Sequence, residues 1–275
     1  MANWKFPTVA VLVPLLWSCS GSGPEEVTFE SEEAVLSGSL FFPESNEPIA
    51  SIVLVHGAGP TERSTGLAEL LASEGFAVLA YDKRGVGESG GTYEGEDNVN
   101  ATNLRLLAAD AAAAVRVVLE HPRLTNLPAG IFGVSQAGWV APIAATEVPM
   151  SFLALASGPA NTVSESLRKE ATAISDAAIV QAINQYADRI SRNDTDPRDY
   201  LVQLDIPGLW LYGEDDELVP VELSVERLQE LIREGHEYEF EVFSGQGHNF
   251  DVTDPNTDPD YRYLVAWIRN VVEDI

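Results

Sequence analysis

The 275-residue sequence predicts a single α/β domain in which a mostly parallel β-sheet is covered by helices on both sides. Short apolar runs alternate along the chain with segments of helical spacing, which is the pattern of repeated βα units. One of these runs, Ile52–Val55, is apolar throughout, as expected for a strand that is buried on both faces. Hydrophobic residues make up 45% of the chain, which is enough to form the core that such a sheet requires.

The predicted elements follow one another in a regular order. Apolar and polar residues alternate on both sides of a turn at Ser31–Glu33, which predicts an opening β-hairpin between Val27 and Leu40. The last predicted strand, Tyr238–Val242, alternates apolar residues with glutamate, which indicates one face in contact with solvent. The remaining strands are predicted at 52–55, 77–80, 130–134, 152–156 and 209–212, and helices are predicted at 67–75, 104–118 and 261–272.

Residues 161–202 interrupt this order. They show helical spacing, for example at Ile179 and Ile183, between the strands predicted at 152–156 and 209–212. An insertion at this point leaves the sheet at the carboxyl ends of its strands, where such sheets bind ligands. We therefore interpret it as a small helical cap over the site, and one long crossover connection is the alternative.

The amino-terminal segment predicts a targeting signal at residues 1–18. Lys5 precedes the apolar run Phe6–Trp17, which is too short to span a bilayer as a helix but suits the core of a signal peptide. The residues that follow Cys19 are rich in glycine and serine, the composition of a flexible tether. We therefore assign the tether to residues 19–26 and the folded domain to residues 27–275.

The residues around Cys19 resemble a bacterial lipobox, in which the cysteine is lipidated and becomes the first residue of the mature protein. Trp17 departs from that motif, because a small residue usually stands at its position. By this resemblance the protein is exported and is attached to a membrane through a lipid anchor at Cys19. An ordinary secretion signal that is cleaved nearby is the alternative.

The chain is strongly acidic. Its 43 aspartate and glutamate residues outnumber 16 lysine and arginine residues, and the net charge is −27. Nucleic acid is excluded as a partner, because phosphate binding requires a basic surface. The acidity indicates a soluble, self-repelling surface, with adaptation to high salt as the alternative. Cys19 is the only cysteine, which excludes an intramolecular disulfide and a cysteine-based zinc cluster, and we predict no cofactor.

The segment Gly133–Gly138 reads Gly-Val-Ser-Gln-Ala-Gly, and it follows a predicted strand. This is the context of a nucleophile elbow, a sharp turn that exposes a serine and needs small neighbours so that the next helix can approach the sheet. Ala137 stands where a second glycine is usual, and Gly138 is a further small residue. The pattern predicts Ser135 as a nucleophile.

Two further residues fit the same chemistry. Asp216 follows the strand predicted at 209–212, and His248 follows the last predicted strand. The order serine, aspartate, histidine along the chain is the order found in enzymes with a nucleophile elbow. Because the carboxyl ends of parallel strands meet at one edge of a sheet, we expect Ser135, Asp216 and His248 to lie close together.

Two more segments, His56–Pro60 (His-Gly-Ala-Gly-Pro) and Tyr81–Ser89 (Tyr-Asp-Lys-Arg-Gly-Val-Gly-Glu-Ser), complete a resemblance to the α/β-hydrolase family. The resemblance extends over essentially the whole predicted mature chain. The sequence looks most similar to bacterial esterases and acyl-peptidase-like hydrolases with an HGxGP loop and a small cap. This resemblance implies that the backbone N–H groups of Ala58 and Gln136 form an oxyanion hole.

The resemblance also separates neighbouring candidates. The family spacing from Gly213 favours Asp216 over Asp215 as the acid that orients the histidine. His56 is interpreted as a residue that shapes its loop rather than as a base. Two interpretations of Arg63 remain open, a contact with substrate and a surface salt bridge, and His121 is interpreted as a surface residue because it lies in a connection.

These residues predict a serine carboxylesterase that acts on small-molecule acyl substrates. His248 takes the proton of Ser135 as the serine attacks an acyl carbonyl, and Asp216 orients the histidine. An aminopeptidase or acyl-peptidase would use the same triad, with Glu165 and Glu170 as candidates to hold a peptide amine. A catalytically inactive surface binding protein is the alternative outside enzymes. A dehalogenase is disfavoured, because it requires a carboxylate in place of Ser135.

Overall fold

The computed structural model describes residues 23–44, 47–95, 98–248 and 259–275, and its strands form one eight-stranded sheet. The strands are β1 (Glu25–Ser31), β2 (Ala34–Phe41), β3 (Ala50–Val55), β4 (Phe76–Tyr81), β5 (Ala129–Val134), β6 (Phe152–Ala156), β7 (Gly208–Gly213) and β8 (Tyr238–Phe243). The helices are α1 (Thr65–Ser73), α2 (Ala101–Glu120), α3 (Ala137–Glu147), α4 (Val163–Ala173), α5 (Ala177–Ile190), α6 (Arg198–Leu201), α7 (Val221–Glu234) and α8 (Pro259–Glu273).

The sheet order is β1-β2-β4-β3-β5-β6-β7-β8. The hairpin strands are antiparallel, both to each other and where β2 meets β4. From β4 to β8 all neighbours in the sheet are parallel. The predicted fold class, a mostly parallel sheet flanked by helices, is therefore confirmed, and each predicted strand and helix is present with bounds that differ by a few residues.

The two faces of β3 show how the sequence forms two helical layers. Val53 and Val55 join the core that contains α2 and α3, whereas Ile52 and Leu54 join the core that contains α1 and α8. All four side chains are buried. Burial of one such aliphatic side chain stabilises the fold by about 1.5–3 kcal/mol. The apolar run is thus needed on both faces, because each face is covered by its own helices.

The hairpin begins earlier than predicted. β1 starts at Glu25, so the last two residues assigned to the tether, Glu25 and Glu26, belong to the sheet. Composition alone predicts a tether there, but the Glu26 carboxylate accepts hydrogen bonds from Ser39 and Arg63 at 2.9 Å, which stabilise the strand. The predicted signal peptide and Cys19 lie outside the described residues. Within the described ranges, no helix is both long and apolar enough to cross a membrane.

The insertion at residues 161–202 contains α4, α5, a 3₁₀ turn at Ser191–Asn193 and α6. It leaves the sheet just after the carboxyl end of β6, which is the edge where β5 and β7 also end. α5 packs against α4, and its outer face contains the exposed side chain of Ile179. Its helical content agrees with the spacing seen in the sequence.

The start of α4 connects the insertion to the sheet-covering helices. Thr162 and Glu165 form a capping box, in which each side chain accepts a hydrogen bond from the backbone N–H of the other residue. The Glu165 carboxylate also accepts two hydrogen bonds from Arg227 of α7, at 2.6 and 2.7 Å. Trp139 of α3 donates to the carbonyl of Asn161 at 2.8 Å. These bonds hold the base of the insertion against α3 and α7.

The prediction that His121 lies on the surface was wrong. Its exposed fraction is 1%, because Phe42 packs on its ring and the hairpin covers it. Its Nδ1 atom accepts a hydrogen bond from the N–H of Arg123 at 3.2 Å. Nε2 lies 3.4 Å from a carboxylate oxygen of Glu25. The covering hairpin is distant in sequence, so local sequence context does not indicate the burial.

Candidate active site

The turn between β5 and α3 contains Ser135 in a strained backbone conformation. Its φ angle is 51°, in the left-handed region that residues with a Cβ rarely adopt. A Cβ on Gly133 would lie 2.4 Å from the Cβ of Ala137, and one on Gly138 would lie 2.5 Å from Pro159. These two glycines therefore allow α3 to start directly behind the serine. The methyl group of Ala137 is accommodated because Gly133 has no side chain.

The structure brings the three predicted residues together in one hydrogen-bonded chain. Ser135 Oγ lies 2.9 Å from His248 Nε2, and His248 Nδ1 lies 2.8 Å from Asp216 Oδ2. A carboxylate can only accept, so Nδ1 carries the proton and Nε2 is free to accept the hydroxyl proton of Ser135. Asp216 is 4% exposed, and this burial protects its bond to the histidine from water.

The second oxygen of Asp216 is held by its own loop. Oδ1 accepts hydrogen bonds from the backbone N–H groups of Leu218 and Val219, at 2.8 and 2.9 Å. Each oxygen of the carboxylate thus has a separate role, one in the loop and one toward His248. The neighbouring Asp215 has an exposed side chain, and its backbone N–H donates to the carbonyl of Gln246 at 2.9 Å.

Gly213 determines how closely the loop before His248 approaches β7. A Cβ at this position would lie 2.4 Å from the carbonyl oxygens of both Gln246 and Gly247. The N–H of Glu214 donates to the carbonyl of Phe243 at 2.9 Å, which adds a second tie between the two loops. The position of the imidazole therefore depends on the absence of a side chain at residue 213.

Ser157 is a site residue that the sequence reasoning missed. It follows β6, has a φ angle of 49° and is 2% exposed. Its hydroxyl donates to the backbone carbonyl of His248 at 2.7 Å. The available signal was its position, since it follows a buried strand just as Ser135 does. Ser157 therefore fixes the backbone of the histidine whose side chain faces Ser135.

Two backbone N–H groups near the serine lack a hydrogen-bond partner in the part of the chain that the structure describes. Among the described residues, no hydrogen-bond acceptor meets the N–H of Ala58 or that of Gln136. A Cβ on Gly57 would lie 3.5 Å from the Cβ of Ser135, so the loop that contains Ala58 lies next to the serine. Two unpaired donors beside a serine are the arrangement that stabilises an oxyanion.

The Gln136 side chain is fixed on both of its polar atoms. Its Nε2 donates to the carbonyl and to the side-chain oxygen of Asn98, at 2.9 and 3.0 Å, and its Oε1 accepts from Lys83 at 2.8 Å. The loop on the other side is shaped by His56, whose Nε2 donates to the carbonyl of Tyr81 at 2.6 Å. Burial and the charge of Lys83 lower the pKa of His56 to about 4, so this imidazole is neutral at pH 7. His56 therefore bonds to the backbone beside its loop, and its ring forms no hydrogen bond with Ser135.

Arg63 is part of a network that holds the loop after β4. It donates to both carboxylate oxygens of Asp82, at 3.0 and 2.7 Å. Burial alone would raise the pKa of Asp82, but hydrogen bonds from Arg63 and from the N–H of Glu88 outweigh it and lower the pKa to about 2. Arg63 also donates to Ser37, Ser39, Glu26 and Glu88. Its guanidinium is thus occupied by salt bridges and hydrogen bonds, which favours the structural interpretation of this residue.

In the part of the chain that the structure describes, no group of three or more histidine, cysteine, aspartate or glutamate side chains is arranged to hold a metal ion.

Comparison with solved structures supports the fold. The chain superimposes with a TM-score of 0.68 on an esterase of Pyrococcus furiosus, Pf2001, at 19% identity over 91% of each chain. It gives a TM-score of 0.67 with the acylaminoacyl peptidase of Pyrococcus horikoshii, at 20% identity over 90% of this chain and 41% of that one. Acetyl xylan esterase 1 of a Thermoanaerobacterium species gives 0.64 at 16% identity, over 94% of this chain and 87% of that one.

Sequence comparison adds a short relative and a family. The quorum-quenching protein AidA of Acinetobacter baumannii is 37% identical over 70 residues, which span 25% of this chain and 23% of that protein. The model of the prolyl oligopeptidase family matches residues 64–274, most of the chain. The matched range includes the elbow serine and the loops of the aspartate and the histidine. The chain therefore belongs to the prolyl oligopeptidase family, and it is a serine hydrolase with the α/β-hydrolase fold.

Proposed function

We propose that the protein hydrolyses carboxylic esters of small or medium acyl groups through an acyl-enzyme on Ser135. The observation that carries this proposal is the hydrogen-bonded chain from Ser135 through His248 to Asp216, with distances of 2.9 and 2.8 Å. The N–H groups of Ala58 and Gln136 meet no acceptor among the described residues; Ala58 lies in the loop next to the serine, and Gln136 directly follows the serine in sequence. The proposal thus assigns a nucleophile, a base, an orienting acid and oxyanion donors to residues at one edge of the sheet.

The proposed reaction has two matched halves. Ser135 Oγ attacks the acyl carbonyl while His248 Nε2 takes the hydroxyl proton, and Asp216 stabilises the imidazolium that forms. The carbonyl oxygen becomes an oxyanion that accepts from the N–H groups of Ala58 and Gln136, and removal of one such donor typically costs about 3 kcal/mol of transition-state stabilisation. The imidazolium then protonates the leaving alcohol. Water repeats the sequence on the acyl-enzyme and releases the acid.

The contacts of Glu165 support esters over peptides with a free amine. An aminopeptidase needs a group that holds the substrate's ammonium, and Glu165 was one candidate. Its carboxylate is already used by the capping box and by two hydrogen bonds from Arg227. The second candidate, Glu170, is half-buried on α4. Family membership keeps peptide hydrolysis as a second candidate function, and an N-acylated peptide would not require an amine-binding carboxylate.

A substrate panel tests the proposal. The purified protein is assayed with p-nitrophenyl esters of increasing acyl length, with aminoacyl anilides and with N-acetyl-aminoacyl anilides. We expect ester hydrolysis with the highest kcat/KM. Faster turnover of either anilide class would instead assign the protein to the peptidases. In that case Glu170→Gln should raise KM for the free-amine anilide alone if Glu170 holds the amine, and Glu165→Gln should mainly destabilise the insertion.

The inactive-scaffold alternative predicts a different result. A protein that only binds ligands would hydrolyse none of the three substrate classes and would not react with a fluorophosphonate probe. The intact hydrogen-bonded chain argues against this alternative, because nothing in a binding role requires Ser135 to face His248. Covalent labelling by the probe therefore separates an active enzyme with an untested substrate from an inactive scaffold.

We also propose that the protein is exported and is anchored in a membrane by lipid on Cys19. The support comes from the sequence, in which Cys19 follows a short apolar run. The six residues from Cys19 to Pro24 can extend over at most roughly 20 Å, so an anchored domain would stay near the bilayer. The net charge of −27 makes lipid chains necessary, because anionic headgroups repel such a surface.

Detergent phase partitioning of cells that express wild type or Cys19→Ala tests the anchor. The wild type should enter the detergent phase, and the variant should remain in the aqueous phase or as uncleaved precursor. A wild type that is fully aqueous, with an unmodified mature amino terminus, would show that the segment is an ordinary secretion signal.

A further inference from the structure

The amino group of Lys83 is buried directly behind the proposed oxyanion hole, and the triad mechanism does not use it. Lys83 lies in the loop after β4 and is 2% exposed. Its Nζ donates to the carbonyls of Gly57 and Gly59, at 2.7 and 3.2 Å, and to Oε1 of Gln136 at 2.8 Å. Burial of a lysine is costly and requires polar partners, so these three bonds account for its position.

The three partners of Lys83 belong to the two halves of the hole. Gly57 and Gly59 flank Ala58, and Gln136 is itself the second donor residue. An ammonium has three N–H bonds and meets three acceptors, whereas a neutral amine has only two N–H bonds. A cavity lined by Lys83 and Gln136 has a volume of about 10 Å³, at the lower limit for a single water molecule. Loss of the proton therefore leaves one acceptor without a partner.

We propose that Lys83, as an ammonium ion, is the positioning residue of the oxyanion hole and that its positive charge stabilises the oxyanion through the donors it holds. The inference rests on the proposed hydrolytic function of the site. Lys83 does not touch the reacting atoms. Its Nζ atom alone forms the hydrogen bonds to the loop on either side of Ala58 and to the side chain of Gln136.

The groups around Lys83 do not neutralise its charge. Among the described residues no carboxylate forms a salt bridge with it, because Asp82 is bound to Arg63 and the next residue, Arg84, pairs with Asp110. The ring of Tyr93 lies 6.0 Å from Nζ. A buried charge without an ion-pair partner acts over a longer distance than a solvated one, so its field reaches the adjacent N–H groups.

The proposal predicts a fall in activity at alkaline pH. Burial lowers the pKa of Lys83 to about 8, so the ammonium present at pH 7 is lost as the pH rises through that value. Three neighbouring groups have pKa values far from this range. The pKa of His56 is lowered to about 4 and that of Asp82 to about 2, and burial raises the pKa of Tyr81 well above its usual range. A falling limb near pH 8 is therefore assigned to Lys83.

The test is the pH dependence of kcat for a p-nitrophenyl ester from about pH 6 to about pH 10, measured on the full protein. Wild type should lose activity above about pH 8. Lys83→Met should lower kcat at neutral pH by about 100-fold, with little change in KM and no falling limb, since one oxyanion donor contributes about that factor. Lys83→Arg retains the charge, so it should restore much of kcat and move the limb beyond the measured range. Lys169→Met is the matched control and should retain the wild-type profile.

Each outcome decides the proposal. A wild-type kcat that stays level to about pH 10, or a folded Lys83→Met with wild-type kcat and the same limb, would overturn it and leave the hydrolase proposal intact. If Lys83→Met does not fold, the test uses the wild type alone. The pH dependence of its kcat is compared with the pH dependence of its inhibition constant for a trifluoromethyl ketone, whose adduct with the serine contains an oxyanion. That constant should rise over the same pH range, and a constant independent of pH would overturn the proposal. A wild type that neither hydrolyses esters nor reacts with a fluorophosphonate would instead reject the proposed function itself.

Discussion

The carboxyl ends of β5 and β6 are adjacent in the sheet, and each is followed by a serine with left-handed backbone angles, Ser135 at φ 51° and Ser157 at φ 49°. The N–H of Ser135 donates to the carbonyl of Ala156, and that of Ser157 donates to the carbonyl of Leu211. Their surroundings differ. Ser135 is half-buried and faces the imidazole of His248, whereas Ser157 is buried and donates to the backbone carbonyl of the same histidine.

This difference shows that the strained turn and the nucleophilic role are independent features. The same backbone geometry follows both strands, so the geometry alone does not define a nucleophile. Access for substrate and an imidazole within hydrogen-bonding distance define it, and only Ser135 has both. The buried Ser157 contacts the backbone of the histidine rather than its ring, and its hydrogen bond to the His248 carbonyl fixes that backbone.

The largest expected effect comes from removing the hydroxyl of the half-buried serine. Ser135→Ala should lower kcat for ester hydrolysis by roughly 10⁶-fold, as removal of a serine nucleophile does elsewhere. It should also abolish labelling by a fluorophosphonate. Ser157→Ala is the matched control and should still be labelled. Labelling that persists in Ser135→Ala, or that is lost only in Ser157→Ala, would reverse the assignment of the two serines.

The acid that orients the histidine provides the next test. Asp216→Asn should lower kcat by about 10⁴-fold, because an amide group facing Nδ1 favours the tautomer in which Nε2 holds the proton. Asp215→Asn should leave kcat almost unchanged, since that side chain is exposed. Both variants are compared at the same pH with the same ester. The opposite order of the two effects would move the acid role to Asp215.

The buried serine should have a smaller effect on catalysis. Ser157→Ala removes the hydrogen bond to the His248 carbonyl, and we expect kcat to fall by roughly 10-fold, since a 1 Å misplacement of a catalytic group costs up to about 10²-fold. KM should change little. Ser73→Ala, on α1 with its hydroxyl bonded within its own helix, is the control. Unchanged kcat in Ser157→Ala would show that the loop positions His248 without this bond.

The smallest effects concern backbone strain. Glycine adopts positive φ without steric cost, whereas alanine retains the clash of its Cβ. The free energy of unfolding of Ser135→Gly should therefore exceed that of Ser135→Ala by about 1 kcal/mol. The same order is expected for Ser157→Gly and Ser157→Ala. Urea denaturation of the four variants measures it, and equal stability within either pair would show that the turn relaxes when the hydroxyl is absent.

The sequence predicts one of these two serines because the chemistry leaves a local pattern. A strand, a glycine, a serine and small residues before a helix identify Ser135, and the order of Asp216 and His248 supports it. Ser157 is also followed by a glycine and a proline, but a serine after an apolar run is common and nothing local encodes its φ angle. Its role depends on a loop that is distant in sequence.

Other features of the site depend in the same way on distant contacts. The burial of Lys83 requires the loop around Ala58 and the side chain of Gln136 to surround one amino group, and sequence spacing does not report that arrangement. The capping box at Thr162 is different, since threonine followed three residues later by Glu165 is a local signal that sequence reasoning had available. The ion pair of that glutamate with Arg227 could not be predicted from local sequence, because the two residues are distant along the chain.

Gly213 is a position at which a substitution can inactivate the protein without removing a catalytic side chain. Every codon change that replaces this glycine adds a Cβ at 2.4 Å from two carbonyl oxygens of the loop before His248, so even alanine forces that loop to move. A substitution at Gly213 would keep Ser135, His248 and Asp216 in the sequence. It would nevertheless move the loop before His248 and so increase the distance between the histidine and the serine. Screens that look only for lost nucleophiles or bases would classify such an allele as intact.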